Sequence, residues 1–92
     1  MQKILQNTNV IGKNLKRLRK AKKLSQYALV TKLQLYGRSM SRPNYAHIEQ
    51  GLRNIYITDL ILIKEILDVS YDEFFAGVSA ADIMEYFSKQ DE

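Results

Sequence analysis

The sequence predicts an all-α fold: five short helices in one body, followed by a short sixth helix at the carboxyl end. Three observations predict it. Apolar residues recur at helical spacing, and no stretch alternates apolar and polar residues for long enough to build a sheet. Ninety-two residues suffice for one domain and leave no room for a second. A composition of 46% hydrophobic and 26% charged residues is that of a globular chain, not a disordered one.

Residues 1–9 are polar and without period, and read as a flexible amino-terminal segment. From Val10 the pattern turns helical, with Ile11, Leu15 and Leu18 on one stripe and lysines and arginines on the remaining turns. Ser25 suits the N-cap of a second helix over residues 26–35, striped by Leu29, Val30 and Leu33. The period then breaks. Gly37 suits a positive φ, and Ser39 and Ser41 suit turn and cap roles. Ser41 caps a third helix, with Pro43 in the first turn, where N–H groups lack intrahelical partners anyway. Tyr45 and Ile48 face inward, and Gly51 stops this helix.

Residues 52–57 read as a loop; 54–58 come nearest to a strand but are too isolated for a sheet. Thr58 is placed to cap a fourth helix, with Asp59 complementing its positive end and Leu60, Ile63 and Leu67 as its stripe. Ser70 to Glu73 matches the capping-box pattern and opens a short fifth helix carrying Phe74 and Phe75, stopped by Gly77. Residues 79–88 form the sixth, with Ala80, Ile83, Met84 and Phe87 on one side. The organisation is thus a segment 1–9, a helical body 10–77 and a tail 78–92, the tail a candidate dimerisation element.

A net charge of +4 hides an asymmetry. Residues 1–55 hold twelve of fourteen basic residues against Glu49 alone, a net +11; residues 56–92 hold two basic residues against nine acids, a net −7. A half-chain so positive repels itself, and an anionic partner relieves that. Nucleic acid and an acidic membrane surface are the natural candidates.

Other classes lack raw material. The absence of cysteine excludes a disulfide scaffold and a thiolate metal site, and one histidine excludes a His-cluster metal. No Gly-rich phosphate loop is present, and the acids lie almost entirely in the last third, mixed into solvent faces, so neither catalytic residue, cofactor nor metal is expected. The longest apolar run, residues 60–63, is far short of a membrane span, and residues 1–10 lack the apolar stretch of a secretory signal. A soluble intracellular protein, neither an enzyme nor a membrane protein, is expected.

The third helix directs Arg42, Asn44, His47 and Gln50 outward. Arginine pairs bidentately with guanine and Asn or Gln with adenine, and none of these residues is chosen for helix propensity. A merely polar solvated face accounts for them equally well on the residues alone.

Leu24-Ser-Gln26, Leu29, Leu33, Ile48-Glu-Gln-Gly51 and Leu67-Asp-Val-Ser-Tyr-Asp-Glu-Phe74 occur in order on these helices. Together they resemble the Cro and phage-repressor (XRE-like) helix-turn-helix, a lambda-repressor-like five-helix DNA-binding domain, over most of the chain. The resemblance implies a recognition helix at residues 41–50 whose amino-terminal half enters the major groove. Arg42, Pro43, Asn44 and His47 take the base-facing positions. Gln26, Tyr27, Arg38, Ser41, Arg53 and Asn54 become phosphate contacts, with an ordinary surface role the alternative for Tyr27 and Arg38. Glu49 falls where the family pairs a carboxylate with a first-helix arginine, here Arg19.

Three departures stand out. The link from Gln34 to Met40 is seven residues where the usual turn has about three or four. It resembles a variant of the family with an inserted turn. Val30 stands where the motif favours alanine, and Pro43 offers a base only apolar contact. The expected function is that of a sequence-specific regulator of double-stranded DNA, a repressor of phage or mobile-element type, cytoplasmic and nucleoid-associated. It would act as a homodimer through Ile83, Met84 and Phe87. The alternative is an antitoxin- or adaptor-type module whose helical surface and tail bind a protein partner.

Overall fold

The computed structural model describes residues 3–4, 10–77 and 79–90. Along the chain run β1 (Lys3–Ile4), α1 (Val10–Ala21), α2 (Gln26–Leu35), α3 (Arg42–Glu49), β2 (Ile55–Tyr56), α4 (Ile57–Leu67), a 3₁₀ turn (Tyr71–Phe75) and α5 (Ala80–Gln90). The architecture is all-α. Its strand pairing among the described residues is a two-residue antiparallel ribbon, Lys3 opposite Tyr56 and Ile4 opposite Ile55. Within residues 1–9, which the sequence reads as flexible, Lys3 and Ile4 therefore have a backbone partner, and the other seven lie outside the described residues.

The inward stripes make one core. Ile11, Leu15 and Leu18 of α1 meet Leu29, Val30 and Leu33 of α2, Tyr45 and Ile48 of α3, and Leu60, Ile63 and Leu67 of α4. Ile55 and Phe74 close it, both without exposed surface. Hydrophobic burial of this kind supplies the main driving force for so small a domain. α3 is held between α1 and α2, so the core fixes the helix of greatest functional interest from its inner side.

Four helices end by one device. The N–H of Leu24, Arg38, Leu52 and Val69 donates back five residues to the carbonyl of Arg19, Leu33, His47 and Lys64, at 3.2, 3.0, 2.9 and 3.4 Å. The residue before each donor is left-handed: Lys23 (φ 60°), Gly37 (89°), Gly51 (76°) and Asp68 (53°). This is the Schellman stop. Glycine takes it readily at Gly37; Lys23 takes it with a Cβ in the way.

Three local expectations are corrected. Thr58 does not cap α4: the strand β2 runs directly into the helix, so the cap position falls on Tyr56, whose side chain makes no capping bond. Ser70 occupies a cap position without a side-chain hydrogen bond, and residues 71–75 wind as a 3₁₀ turn, not an α-helix. Its tighter winding separates neighbouring side chains by a third of a turn. Phe74 consequently points into the core and Phe75 remains 47% exposed.

The turn is bound to α1 by a residue the apolar pattern passed over. Asn14, buried on α1, donates Nδ2 to the carbonyls of Phe74 (2.8 Å) and Ala76 (3.0 Å). Arg17 adds a bond to the Glu73 carbonyl at 3.3 Å.

α5 is opened by a reciprocal cap. Ser79 Oγ accepts the Asp82 N–H at 3.3 Å and Asp82 Oδ2 accepts the Ser79 N–H at 2.9 Å. Every described side chain of α5 is exposed, Ile83, Met84 and Phe87 included, and the core cluster takes no residue from it. No helix among the described residues is long and apolar enough to cross a membrane.

Candidate nucleic-acid interface

α3 has two unlike faces. Tyr45, Ala46, Ile48 and Glu49 are buried, while Arg42, Pro43, His47 and Gln50 are exposed and Asn44 is half-buried. Ser41 Oγ accepts the Asn44 N–H at 3.2 Å, and Pro43 occupies the first turn, so the amino end of α3 is closed by its own sequence. All four residues expected to face bases lie on this stub, and no described segment encloses them.

Beneath it sits a charged lock. Arg19 Nε donates to Glu49 Oε2 at 2.7 Å, Arg19 Nη2 to Oε1 at 3.1 Å, and Arg19 Nη1 to the Leu24 carbonyl at 2.7 Å. Both side chains are buried, at 8% and 2% exposure. Burial pushes the Glu49 carboxyl upward, but the bonds from Arg19 and Gln26 outweigh it and hold the group below the usual carboxylate range. The same pairing raises Arg19. Tyr45 is fully buried beside the pair, its hydroxyl without a hydrogen bond of good geometry, and burial pushes its phenol well above the ordinary range.

The lock continues to the surface. Gln26 Nε2 donates to Glu49 Oε1 at 3.0 Å, which fixes the amide orientation, since its oxygen cannot face a carboxylate. The outward amide oxygen accepts Arg42 Nη1 at 3.1 Å. A buried ion pair thereby orients the first residue of α2, and that residue orients the first residue of α3. Gln26 also stands at a helix amino end, where Ser25 Oγ accepts the Ala28 N–H at 3.0 Å and backbone dipoles favour an anion.

The other phosphate candidates are distributed around this stub. Tyr27 is 70% exposed; Ser41 is exposed at the head of α3; Arg53 and Asn54 are exposed just past Gly51. Arg38 differs. Its Nε donates to Asp59 Oδ1 at 2.6 Å and its Nη2 to Oδ2 at 3.2 Å, which raises the guanidinium pKa; Asp59 is 1% exposed. Sequence placed Arg38 on a phosphate and Asp59 at a helix end; the fold pairs them across 21 residues. No local pattern signals such a pair. α2 ends at Leu35, as its predicted range does, so the link to α3 is residues 36–41, one residue shorter than the stretch Gln34–Met40 read from the sequence.

Residues 15–74 match the helix-turn-helix family profile, well over half the chain. The chain belongs to the XRE-type helix-turn-helix family. Members are DNA-binding transcriptional regulators, and the all-α body with α2 and α3 in contact is that family's domain. The chain is also 36% identical over 81 residues to an uncharacterised HTH-type transcriptional regulator, YqaE, of Bacillus subtilis (strain 168). That alignment covers 88% of this chain and 66% of the relative, so the helix-turn-helix chain spans just under two thirds of that protein's length. No solved structure matches the chain.

Proposed function

We propose that this chain binds double-stranded DNA sequence-specifically as a cytoplasmic, nucleoid-associated transcriptional regulator, reading the major groove with α3. The observation that carries the proposal is the exposed Arg42, Pro43, Asn44 and His47 edge of a helix whose opposite face is core, with Arg42 aimed by Gln26. Arg42 suits a guanine edge, Asn44 an adenine, Pro43 a thymine methyl, and His47 either a base or its phosphate. Gln26, Tyr27, Ser41, Arg53 and Asn54 grip the backbone and set the register. Most basic residues lie in the first 55, so the affinity is largely phosphate-driven and falls with salt. A repressor of phage or mobile-element type fits a domain this small, which acts by occupying its site.

Ile83, Met84 and Phe87 are exposed on a helix none of whose described side chains joins the core cluster. A second copy covering that face would make a two-fold dimer on a palindromic operator. Light scattering on the whole chain and on a chain ending at residue 77 tests this part: a dimer mass lost on truncation supports it, and a monomer mass for both removes it.

The test of DNA reading is a binding assay on a selected operator and on random DNA. Arg42→Ala flattens preference at one base pair by about 1–3 kcal/mol, while Arg53→Ala weakens every sequence alike and shallows the salt slope by about one. Wild-type affinities for both variants on both DNAs would overturn the assignment.

A further inference from the structure

The link between α2 and α3, residues 36–41, is longer than the usual helix-turn-helix turn of about three or four residues, and of its residues Met40 packs against the core. Residues 36–41 hold Tyr36, Gly37, Ser39 and Ser41 exposed, with Arg38 and Met40 half-buried. Gly37 reverses the chain and has open space around it, so packing does not restrain it there. A longer link has more conformations to lose and transmits orientation less strictly. Met40 seats one end of this link on the core, and Arg38 adds a directional restraint. Its fork meets both oxygens of Asp59, and its Nη1 donates to the Ser39 carbonyl at 3.0 Å, so one guanidinium holds the link to α4 and to itself. Asp59 lies in the first turn of α4, buried and anchored by Leu60 and Ile63 beside it.

We infer that Arg38 and Asp59 form a positioning clamp that sets where the amino end of α3 points, and so governs sequence discrimination without touching DNA. Arg38 is three residues from the Ser41 cap and four from Arg42, so a displacement of the link moves the base-reading edge directly. α3 is fixed from behind by the Glu49 lock at its carboxyl end. The clamp supplies the second fixed point, at the amino end. With both, and with Tyr45 and Ile48 seated in the core, the helix has one pose; without the clamp its amino-terminal turn is held less strictly. Base contacts are bidentate and short and tolerate little angular error, whereas contacts to phosphate tolerate more. Loss of the clamp therefore costs specific binding more than random binding.

The inference rests on the DNA-reading function proposed above, and its test has an arm that does not. In that arm, amide hydrogen exchange of the free chain is compared for wild type, Asp59→Asn and Arg38→Lys. Each variant keeps size and removes the two-pronged charge pairing. Exchange rises about tenfold or more across residues 38–45 and stays unchanged in α1. In the binding arm, the operator-to-random affinity ratio falls about tenfold, the worth of one good base contact, with the salt slope unaltered. Arg38→Lys separates the clamp from phosphate binding, because lysine keeps a phosphate contact but not the fork.

The inference is overturned if exchange over residues 38–45 is that of wild type in both variants. It is also overturned if Arg38→Lys keeps the full ratio while Arg38→Ala shallows the salt slope by about one, the mark of a phosphate contact. If wild type shows no operator preference, the functional proposal fails, and the exchange arm still decides the clamp.

Discussion

Replacing Glu49 by glutamine keeps the side chain's shape and removes its charge. Arg19, with a side chain only 8% exposed, is then left as a buried cation. Removing one partner of a buried pair costs about 3–5 kcal/mol, chiefly from the charge left behind. Arg19 retains the Leu24 carbonyl at 2.7 Å and glutamine still accepts one bond, which places the loss near the lower end, about 3 kcal/mol. A domain of 92 residues holds roughly 5–14 kcal/mol in all, so the variant remains folded but marginal. At ~4–8 °C per kcal/mol, its midpoint drops by about 12–24 °C.

Urea and thermal melts by circular dichroism measure this at pH 7. The lowered Glu49 pKa adds a pH signature. A carboxyl depressed by folding contributes stability above its unfolded value, near ~4.3, and loses it as pH falls through the folded value. The gap between wild type and variant is therefore constant from about pH 6 to 8 and closes below about pH 4. A loss under ~1 kcal/mol at pH 7, the worth of an exposed pair, would refute the reasoning. So would a gap that widens on acidification.

Asn14→Ala orphans the buried carbonyl of Phe74 and frees the part-buried one of Ala76, and destabilises the fold by about 1–3 kcal/mol in the same melts; a loss below ~0.5 kcal/mol would mean that water replaces the amide. The left-handed stops move in opposite directions: Lys23→Gly stabilises by about 0.5–1 kcal/mol and Gly37→Ala destabilises by about 1 kcal/mol, read as shifts in the urea midpoint at constant m. Equal signs for the two would discount backbone strain as the cause.

Much of this was legible from short-range pattern. Ile11, Leu15 and Leu18, or Leu60, Ile63 and Leu67, declare a helix face because burial repeats at the helical period. Ser25 and Ser41 declare helix starts, since a hydroxyl is placed to accept an amide three residues on. The pair Arg19 and Glu49 came from family likeness, and its geometry from the fold. The remainder depended on neighbours distant in sequence. Asn14 interrupts no stripe, yet its partners lie about sixty residues away. Asp59 looked like a helix-end charge because nothing nearby revealed Arg38. Thr58 has a capping residue's chemistry, but the strand before α4 moved the start of the helix by two positions. Gln26 suggested a phosphate ligand; that it also bridges Glu49 to Arg42 required α2 and α3 in place.

The bond from Arg42 to Gln26 has a consequence for the kinetics of encounter. An arginine loose in solvent surrenders several torsions when it meets a base, about 0.5–1.5 kcal/mol for a side chain so rich in rotamers. On the proposed reading, the guanidinium is already held by Gln26 before a duplex arrives, so less of that freedom is left to lose. The proposed step from search to reading then amounts to one exchange of partner at a single guanidinium, with the rest of the helix already in place.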